Sequence, residues 1–512
     1  MIARLLVALL LSSASSVALA QGQAPLMPVP NRAANDNSAA PANTRYVDTA
    51  GQALLKTIQG RAPLVTDTSG VKCDGTSDDR AALQAALDRA GSRQETVWLP
   101  PYRICAYSGT LTLNNARLHG SGTGAVLKPL STVDTMISIA GSLSAVRDVQ
   151  IVNDGNRATS AIVLATPEDA LTVWIERNYV VGFSGDAVRR EAGQHAVIRE
   201  NTFLNNGRAY VQNSSGINDV IEGNYVAGGN GFLFRKQGSH GMEGAVVRGN
   251  IVFATGNPAW TALTVEAAVD MVVEANTFES DCNTVVYDGS NFAVSYIKSR
   301  SNWIGTQKPV AGKECYALTL KNQANWVTSE TDVIIGRGQR GVLATADSAA
   351  RSNLVPMFRG MRFYGATPQA RASQDMAISY TLGTVIRDVD FTGAASLVEG
   401  PGVSGRVDGS LWGTLPNTID AGLRYGDQAG GMTLRAKGSV GYPSGTTSQT
   451  IAHGLSYPAG PADFTFTAAS HATNPVGMPV VVNVTPTSVG ATLRGDPGSS
   501  GVAFGWSVDR TR

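Results

Sequence analysis

The chain has 512 residues, enough to bury a large core and to form more than one domain. Only 16% of the residues are charged, glycine reaches 56, and the formal net charge is +1. This composition favours turns and stacked strands over helices, and the charge balance argues against nucleic acid and anionic membranes as partners.

The first predicted element is a secretory signal peptide at residues 1–20. Arg4 precedes the apolar run from Leu5 to Leu11, and Ala18-Leu19-Ala20 supplies small residues for cleavage. No later stretch reaches the roughly 18 apolar residues that a membrane-spanning helix needs. We therefore expect a secreted or periplasmic protein without a membrane span. Residues 21–45 are rich in Ala, Pro and Asn and are predicted to be a flexible linker.

One amphipathic helix is predicted at residues 78–90. Asp78 and Asp79 provide an N-cap acid, and apolar residues then follow at helical spacing up to Leu87. This is the single helical pattern ahead of a long region of short strand signals.

The middle of the chain contains a repeat marked by asparagine. Each of these asparagines follows a short β-branched run and another residue, at intervals of 23 to 26 residues: Asn178, Asn201, Asn224, Asn250, Asn276 and Asn302. Three strand signals per repeat predict one coil of a parallel β-helix. Successive coils lie about 4.8 Å apart, so the asparagine side chains are expected to stack and hydrogen-bond at one corner. The helix at 78–90 is then expected to cap the open end.

The segment around this helix resembles a known family. The residues that carry the resemblance are Val71-Lys72-Cys73-Asp74-Gly75-Thr76-Ser77-Asp78-Asp79, then Thr96-Val97-Trp98-Leu99-Pro100-Pro101-Tyr102-Arg103-Ile104 and Gly109-Thr110-Leu111-Thr112-Leu113. Residues 65–130 are similar to the pectate-lyase-like superfamily. Two departures are Cys73, which stands where glycine is usual, and a glycine missing between Pro101 and Tyr102. The resemblance implies an all-β fold, a right-handed parallel β-helix, which the repeat extends over residues 46–405.

The end of the chain has a different pattern. Residues 406–440 are Gly-rich and are predicted to be a linker, and short alternating strands over 441–512 predict a small β-sandwich. The sandwich resembles the C-terminal modules of tailspikes, which bind sugar or hold subunits together. A homotrimer is therefore among the assemblies that the resemblance allows.

Four cysteines in an exported chain favour two disulfides, for which three connectivities exist. Cys73 and Cys105 flank the first module, and Cys282 and Cys315 lie in neighbouring coils, so we pair them in that order. A bridge from Cys73 to Cys105 also accounts for the departure from the family glycine. No Cys-x-x-Cys pair is present, and we expect no metal or other cofactor, with calcium left open.

Alignment of the coils on their asparagines superposes a second strand, after which charged residues recur. They are Arg189, Arg190, Arg235, Lys236, Glu266, Tyr287, Asp288 and Lys321. On neighbouring coils these side chains are predicted to form one mixed-charge stripe in an outer groove, where a polysaccharide strand could lie. The alternative is an ordinary solvated face. The longer coil between Asn224 and Asn250 adds a loop expected to carry His240 and Glu243 over the groove.

Because lyases, glycoside hydrolases, epimerases and tailspikes share this fold, the resemblance leaves the reaction open. In β-elimination on a uronic-acid polymer, Lys236 or His240 would be the base and Tyr287 the acid, while Arg235 and Arg190 neutralise the substrate carboxylate. Arg189, Glu243 and Lys321 are predicted to bind substrate. We favour this reaction because the Asp-Asp-rich pattern of the polygalacturonase-like hydrolases is not visible.

Two other functions stay open at this point. In hydrolysis, Glu266 and Asp288 on adjacent coils would form the carboxylate pair, or Glu243 would pair with Asp288 at a larger separation. A glycan-binding adhesin without catalysis is the third hypothesis, since stacked strands persist without a reaction to perform.

Overall fold

The computed structural model describes most of the chain from residue 65 onward. The described residues are 65, 69–120, 124–167, 172–213, 216–235, 242–292, 294–307, 310, 313–336, 340–364, 374–390, 397–399, 401–408, 423–425, 435–443, 445–452, 464–468, 479–484, 488–494, 496 and 502–509. The predicted signal peptide and the linker at 21–45 lie outside these residues.

The predicted helix, α1, spans Arg80–Arg93. Its buried face consists of Leu83, Ala86, Leu87 and Ala90, and it contacts the first strands of the β-structure that follows. Of the two acids before it, Asp79 holds the incoming chain and Asp78 bonds the start of the helix. The Asp79 carboxylate accepts hydrogen bonds from the backbone N–H groups of Lys72 and Cys73 at 2.7 and 2.9 Å, and Asp78 accepts from the N–H of Arg80 at 3.0 Å.

Three long parallel sheets of 14, 11 and 12 strands form the body of the protein, and most coils contribute one strand to each sheet. The first sheet contains Thr96–Trp98, Arg117–His119, Ala145–Arg147, Val173–Glu176, Ala196–Arg199, Val220–Glu222, Val246–Arg248, Val272–Glu274, Lys298–Arg300, Thr328–Glu330, Met357–Arg359, Thr384–Arg387, Gly405–Asp408 and Leu423–Tyr425. The second contains Arg103–Tyr107, Ala125–Pro129, Gln150–Val152, Tyr179–Val181, Thr202–Leu204, Tyr225–Ala227, Ile251–Ala254, Thr277–Ser280, Trp303–Thr306, Val333–Ile335 and Arg362–Phe363.

The third sheet contains Leu111–Leu113, Val133–Ile139, Ala158–Ala165, Asp186–Ala192, Arg208–Gln212, Asn230–Phe234, Leu263–Val265, Val285–Asp288, Tyr316–Lys321, Arg340–Thr345, Gln374–Ile378 and Leu397–Glu399. A short fourth sheet, which the sequence pattern did not predict, follows it along each coil. Its strands are Gly216–Ile217, Met242–Glu243, Ala268–Val269, Val294–Ser295 and Ala324–Asn325, and Asn353–Leu354 pairs with Thr381–Leu382 farther along. Two short 3₁₀ turns occur at Asp154–Asn156 and Ala349–Arg351.

The asparagine stack is confirmed. Each asparagine is buried, and its amide Nδ2 donates to Oδ1 of the asparagine on the next coil at 2.9–3.0 Å. The backbone N–H of each asparagine donates to the same oxygen. Since these groups are shielded from water, every coil depends on the next coil for its hydrogen bonds.

The stack continues for one coil beyond the predicted repeat and ends at Asp332. Asn302 Nδ2 donates to Asp332 Oδ1 at 3.0 Å, while Ser299 and Ser329 donate to Oδ2 at 2.8 and 2.6 Å. The residue at this position on the next coil is Met361, which offers no carbonyl or carboxylate acceptor from its side chain. A carboxylate suits the end of the stack because it only accepts hydrogen bonds. Burial raises the pKa of Asp332.

Both predicted disulfides are present, between Cys73 and Cys105 and between Cys282 and Cys315. Cys73 has φ 47°, in the left-handed region that favours glycine, which is the residue usual at this position in the resembling family. The first disulfide therefore fixes the segment that leads into α1 to the first strand of the second sheet.

Removal of either disulfide should lower the free energy of unfolding. Loops of 32 and 33 residues between the bonded cysteines predict similar losses of about 3–4 kcal/mol for the C73S/C105S and C282S/C315S variants. Denaturant unfolding of the two double variants beside the wild type measures this. A midpoint equal to that of the wild type for either variant would contradict the prediction.

The C-terminal part contains two antiparallel three-stranded sheets, as predicted. One contains Arg435–Tyr442, Val502–Asp509 and Phe464–Ala468, and the other contains Ser448–Ala452, Ser488–Thr492 and Val480–Val484. The first sheet extends beyond residue 405, where the β-helix was predicted to end. Its last two strands, at 405–408 and 423–425, lie in or reach into the segment 406–440 that was expected to be a linker. In the described residues, no helix is long and apolar enough to cross a membrane.

Candidate functional site

The outer surface of the third sheet contains a line of polar side chains. In this sheet Arg190, Gln212, Phe234, Val265, Tyr287 and Leu320 are aligned on successive coils and point inward. The residue after each of them lies on the outer side of the sheet, where five of the six are at least partly exposed and Asn213 is buried. These residues are Glu191, Asn213, Arg235, Glu266, Asp288 and Lys321, which we call the outward column. This column shares Arg235, Glu266, Asp288 and Lys321 with the charged stripe predicted from the sequence, and its role in binding a glycan stays a prediction.

Hydrogen bonds and an ion pair connect the outward column from coil to coil. Asn213 Nδ2 donates to Glu191 Oε1 at 3.2 Å, and Arg235 Nε donates to Asn213 Oδ1 at 2.6 Å. Lys321 Nζ lies 3.6 Å from Asp288 Oδ2. Glu191, Asn213 and Arg235 thus form one connected group and Asp288 and Lys321 another, with Glu266 between the two groups.

Those two carboxylates lie on adjacent coils. Val265, the residue before Glu266, pairs directly with Tyr287, the residue before Asp288. The coil spacing of about 4.8 Å therefore separates their backbones. Asp288 is held by Lys321 and by the backbone N–H of Ser290, which donates to Oδ1 at 2.9 Å. Among the described residues, none donates a hydrogen bond to the Glu266 carboxylate.

A second polar pair, Asp186 and Arg208, lies on the same sheet, five residues before Glu191 and Asn213 of the outward column, and was missed by sequence reasoning. The two residues pair on adjacent coils. Burial raises the pKa of the Asp186 carboxyl, and the positive charges of Arg208, Arg189 and Arg235 oppose that rise. Burial likewise lowers the pKa of Arg208. A carboxyl group shifted by desolvation among cations is a frequent property of functional sites.

Arg190, predicted to bind substrate and to neutralise its carboxylate, is instead buried. It is 1% exposed and forms an ion pair with Asp219, which is 0% exposed. Asp219 also accepts hydrogen bonds from the Tyr210 hydroxyl at 2.7 Å and the Ala196 N–H at 2.8 Å. Arg190 is therefore part of a core network and cannot contact a glycan in the groove.

Tyr287, predicted to be the general acid, is also directed into the core. Its side chain is 0% exposed, and burial raises the pKa of its hydroxyl. A general acid must reach the leaving oxygen of the substrate. The assignment of this role to Tyr287 is wrong.

The remaining predicted site residues divide into three groups. Arg189 faces outward, with its side chain in ion pairs to Glu191 and Asp134 at 2.7 and 3.3 Å. Glu243 is exposed but belongs to the fourth sheet, beyond the edge of the outward column. Lys236 and His240 lie outside the described residues, so their part in the site stays a prediction. No cluster of three or more His, Cys, Asp or Glu side chains in the described part of the chain could hold a metal ion.

No family model and no curated protein matches the chain. Solved structures do. The Dettilon tailspike protein is similar with a TM-score of 0.57 and 11% identity, and the match covers 86% of this chain and 93% of the tailspike. The A-module of the mannuronan C-5 epimerase AlgE6 of Azotobacter vinelandii has a TM-score of 0.40 and 18% identity, with 72% of this chain and 99% of the module covered. An alginate lyase of Paenibacillus has a TM-score of 0.34 and 13% identity over 66% of this chain and 97% of that chain.

The chain is therefore a right-handed parallel β-helix protein, as the resemblance to the pectate-lyase-like superfamily implied, and α1 is the one α-helix that lies wholly within its described residues. At these identities the similarity extends to the fold alone.

Proposed function

We propose that the protein is a secreted enzyme that cleaves an acidic polysaccharide along the outward column of the third sheet. The observation that carries the proposal is the adjacency of Glu266 and Asp288 on neighbouring coils, with Arg235 and Lys321 at either side. A linear glycan can lie across successive coils and meet all four side chains.

Hydrolysis with retention is the reaction that this geometry supports best. Retaining enzymes place their two carboxyl groups about 5–5.5 Å apart, close to the coil spacing of about 4.8 Å. Asp288, held by Lys321 and Ser290, would attack the anomeric carbon while Glu266 gives a proton to the leaving oxygen. Water, activated by Glu266, would then release the sugar from Asp288.

An acidic substrate is favoured by the arginines at one end of the site. Arg189, Arg208 and Arg235 all influence the partly buried Asp186 carboxyl and lie on three successive coils. Guanidinium groups bind carboxylates through paired hydrogen bonds, so this end of the groove could hold a uronate unit.

β-Elimination is the second candidate, and the same arginines favour it because they could stabilise an enolate. With Tyr287 and Arg190 buried, the reaction would depend on Lys236 or His240 as the base and on another acid. A third outcome is a glycan-binding protein that performs no cleavage.

A product assay on a panel of acidic and neutral polysaccharides separates the three. Retaining hydrolysis should release new reducing ends of the original anomeric configuration, as read by NMR at early times, without ultraviolet absorbance from a new double bond. A product with that absorbance would replace hydrolysis by elimination. Binding of a polysaccharide without any product would overturn the enzymatic proposal.

A further inference from the structure

Two aromatic side chains on neighbouring coils stack on the outer surface, away from the outward column. The rings of Tyr296 and Trp326 are 4.9 Å apart and differ by 3° in orientation. Tyr296 is 49% and Trp326 36% exposed, so both residues remain partly open to solvent. We call these two residues the aromatic pair.

The backbone at the aromatic pair is in an unfavourable conformation for such residues. Both follow a strand of the fourth sheet, at a corner where the chain turns toward the first sheet with φ of 58° for Tyr296 and 49° for Trp326. The same corner on other coils is occupied by His195, Asn218, Gly244, Asp270, Val355 and Gly383, all with positive φ. Asn, Asp and Gly suit this region, whereas large side chains are strained there.

Two stacked aromatic residues at this corner present an exposed apolar surface that Asn, Asp or Gly would not present, in spite of the unfavourable backbone conformation. Strain retained at an exposed site is a reason to look for a function.

The size and position of the aromatic pair favour a sugar as its ligand. It spans two coils, far less than the surface that a stable protein partner covers. The C–H groups on the flat face of a pyranose carry partial positive charge and pack on the negative face of an aromatic ring. Asp270, on the coil before, is exposed and can accept hydrogen bonds from sugar hydroxyls.

The aromatic pair also lies on the two coils that carry Asp288 and Lys321. Trp326 is five residues after Lys321, so the Cα atoms of these residues are at most about 18 Å apart. A glycan bound at the outward column could thus extend across the narrow fourth sheet to the aromatic pair.

We infer that Tyr296 and Trp326 form an auxiliary glycan-binding site that stacks on pyranose rings beyond the cleavage site. The role of this site in cleavage rests on the proposed function. Its binding of a glycan does not, because binding can be measured without cleavage.

The test uses the full-length double variant Y296N/W326N, since asparagine already occupies this corner at Asn218. Retention of the variant in gels that contain each polysaccharide of the panel gives its affinity, and thermal melting gives its stability. We expect affinity for the bound polysaccharide to fall about tenfold or more. The melting temperature should stay equal or rise, because asparagine relieves the strain. Y225N, which removes another exposed tyrosine on the second sheet, is the matched control and should keep wild-type affinity.

Unchanged affinity of Y296N/W326N would overturn the inference, as would retention of the wild type by none of the polysaccharides. A lower melting temperature would also overturn it, since the rings would then be structural. If the wild type binds a polysaccharide without cleaving it and Y296N/W326N loses that binding, the proposed function fails while this site stands.

Discussion

Replacement of Glu266 by Gln, or of Asp288 by Asn, is expected to lower turnover of the polysaccharide substrate by about 10²- to 10⁴-fold. Each change keeps the size of the side chain but removes the carboxylate that attacks the sugar or transfers the proton. Both residues lie at the surface of the third sheet, so the melting temperature should change little. Initial rates of reducing-end release with matched melting curves measure the effect.

Two control variants give this prediction its specificity. E330Q removes an exposed carboxylate from the first sheet, outside the outward column, and should keep wild-type turnover. Y287F should also keep it, because the Tyr287 hydroxyl is buried beneath the site. If E266Q and D288N retain activity while Y287F loses it without a loss of stability, hydrolysis by the carboxylate pair is wrong.

The second large effect concerns folding. Replacement of Arg190 by Ala should lower the free energy of unfolding by about 3–5 kcal/mol, because Asp219 would be left as an unpaired charge in the core. Urea unfolding measures this loss. Asp219→Ala should destabilise the protein to a similar extent, since it leaves the guanidinium of Arg190 unpaired.

The neighbouring arginine is the matched control. Arg189 is adjacent in the chain but faces outward, where its ion pairs with Asp134 and Glu191 are open to solvent, so Arg189→Ala should cost about 0–1 kcal/mol. If Arg190→Ala and Arg189→Ala exchanged these outcomes, the strand would have the opposite face buried.

The parts of the fold that depend on a regular repeat could be predicted from the sequence. The asparagines recur because each hydrogen-bonds to the next coil, so their spacing reports the coil length directly. The disulfides could be paired because each joins segments brought together by one turn of the chain. Asp332 extends the stack by one coil. Because it is not an asparagine, the asparagine repeat in the sequence ends one coil earlier than the stack.

The error at Tyr287 arises from a shift of register. Alignment on the asparagines placed Tyr287 in the stripe beside Glu266, whereas Tyr287 pairs with the inward-pointing Val265. Arg190 was grouped with Arg189, although neighbouring residues of a strand face opposite sides of the sheet. The distance from each asparagine to the third sheet varies between coils, and the sequence does not reveal this variation. A shift by an odd number of residues exchanges the two faces of a strand, as happened at Tyr287.

Other features carry no local signal in the sequence. The fourth sheet has strands of two residues, too short for a periodicity to be recognised. Asp186 and Arg208 gain their significance from partial burial and from each other, on separate coils.

The most direct test of the proposed site is a crystal structure of E266Q soaked with an oligosaccharide that the wild type releases from its substrate. We predict a sugar unit in contact with Asp288 and residue 266, with neighbouring units along the outward column toward Arg235 or Lys321. An oligosaccharide bound to another face of the β-helix, without contact to the outward column, would contradict the account.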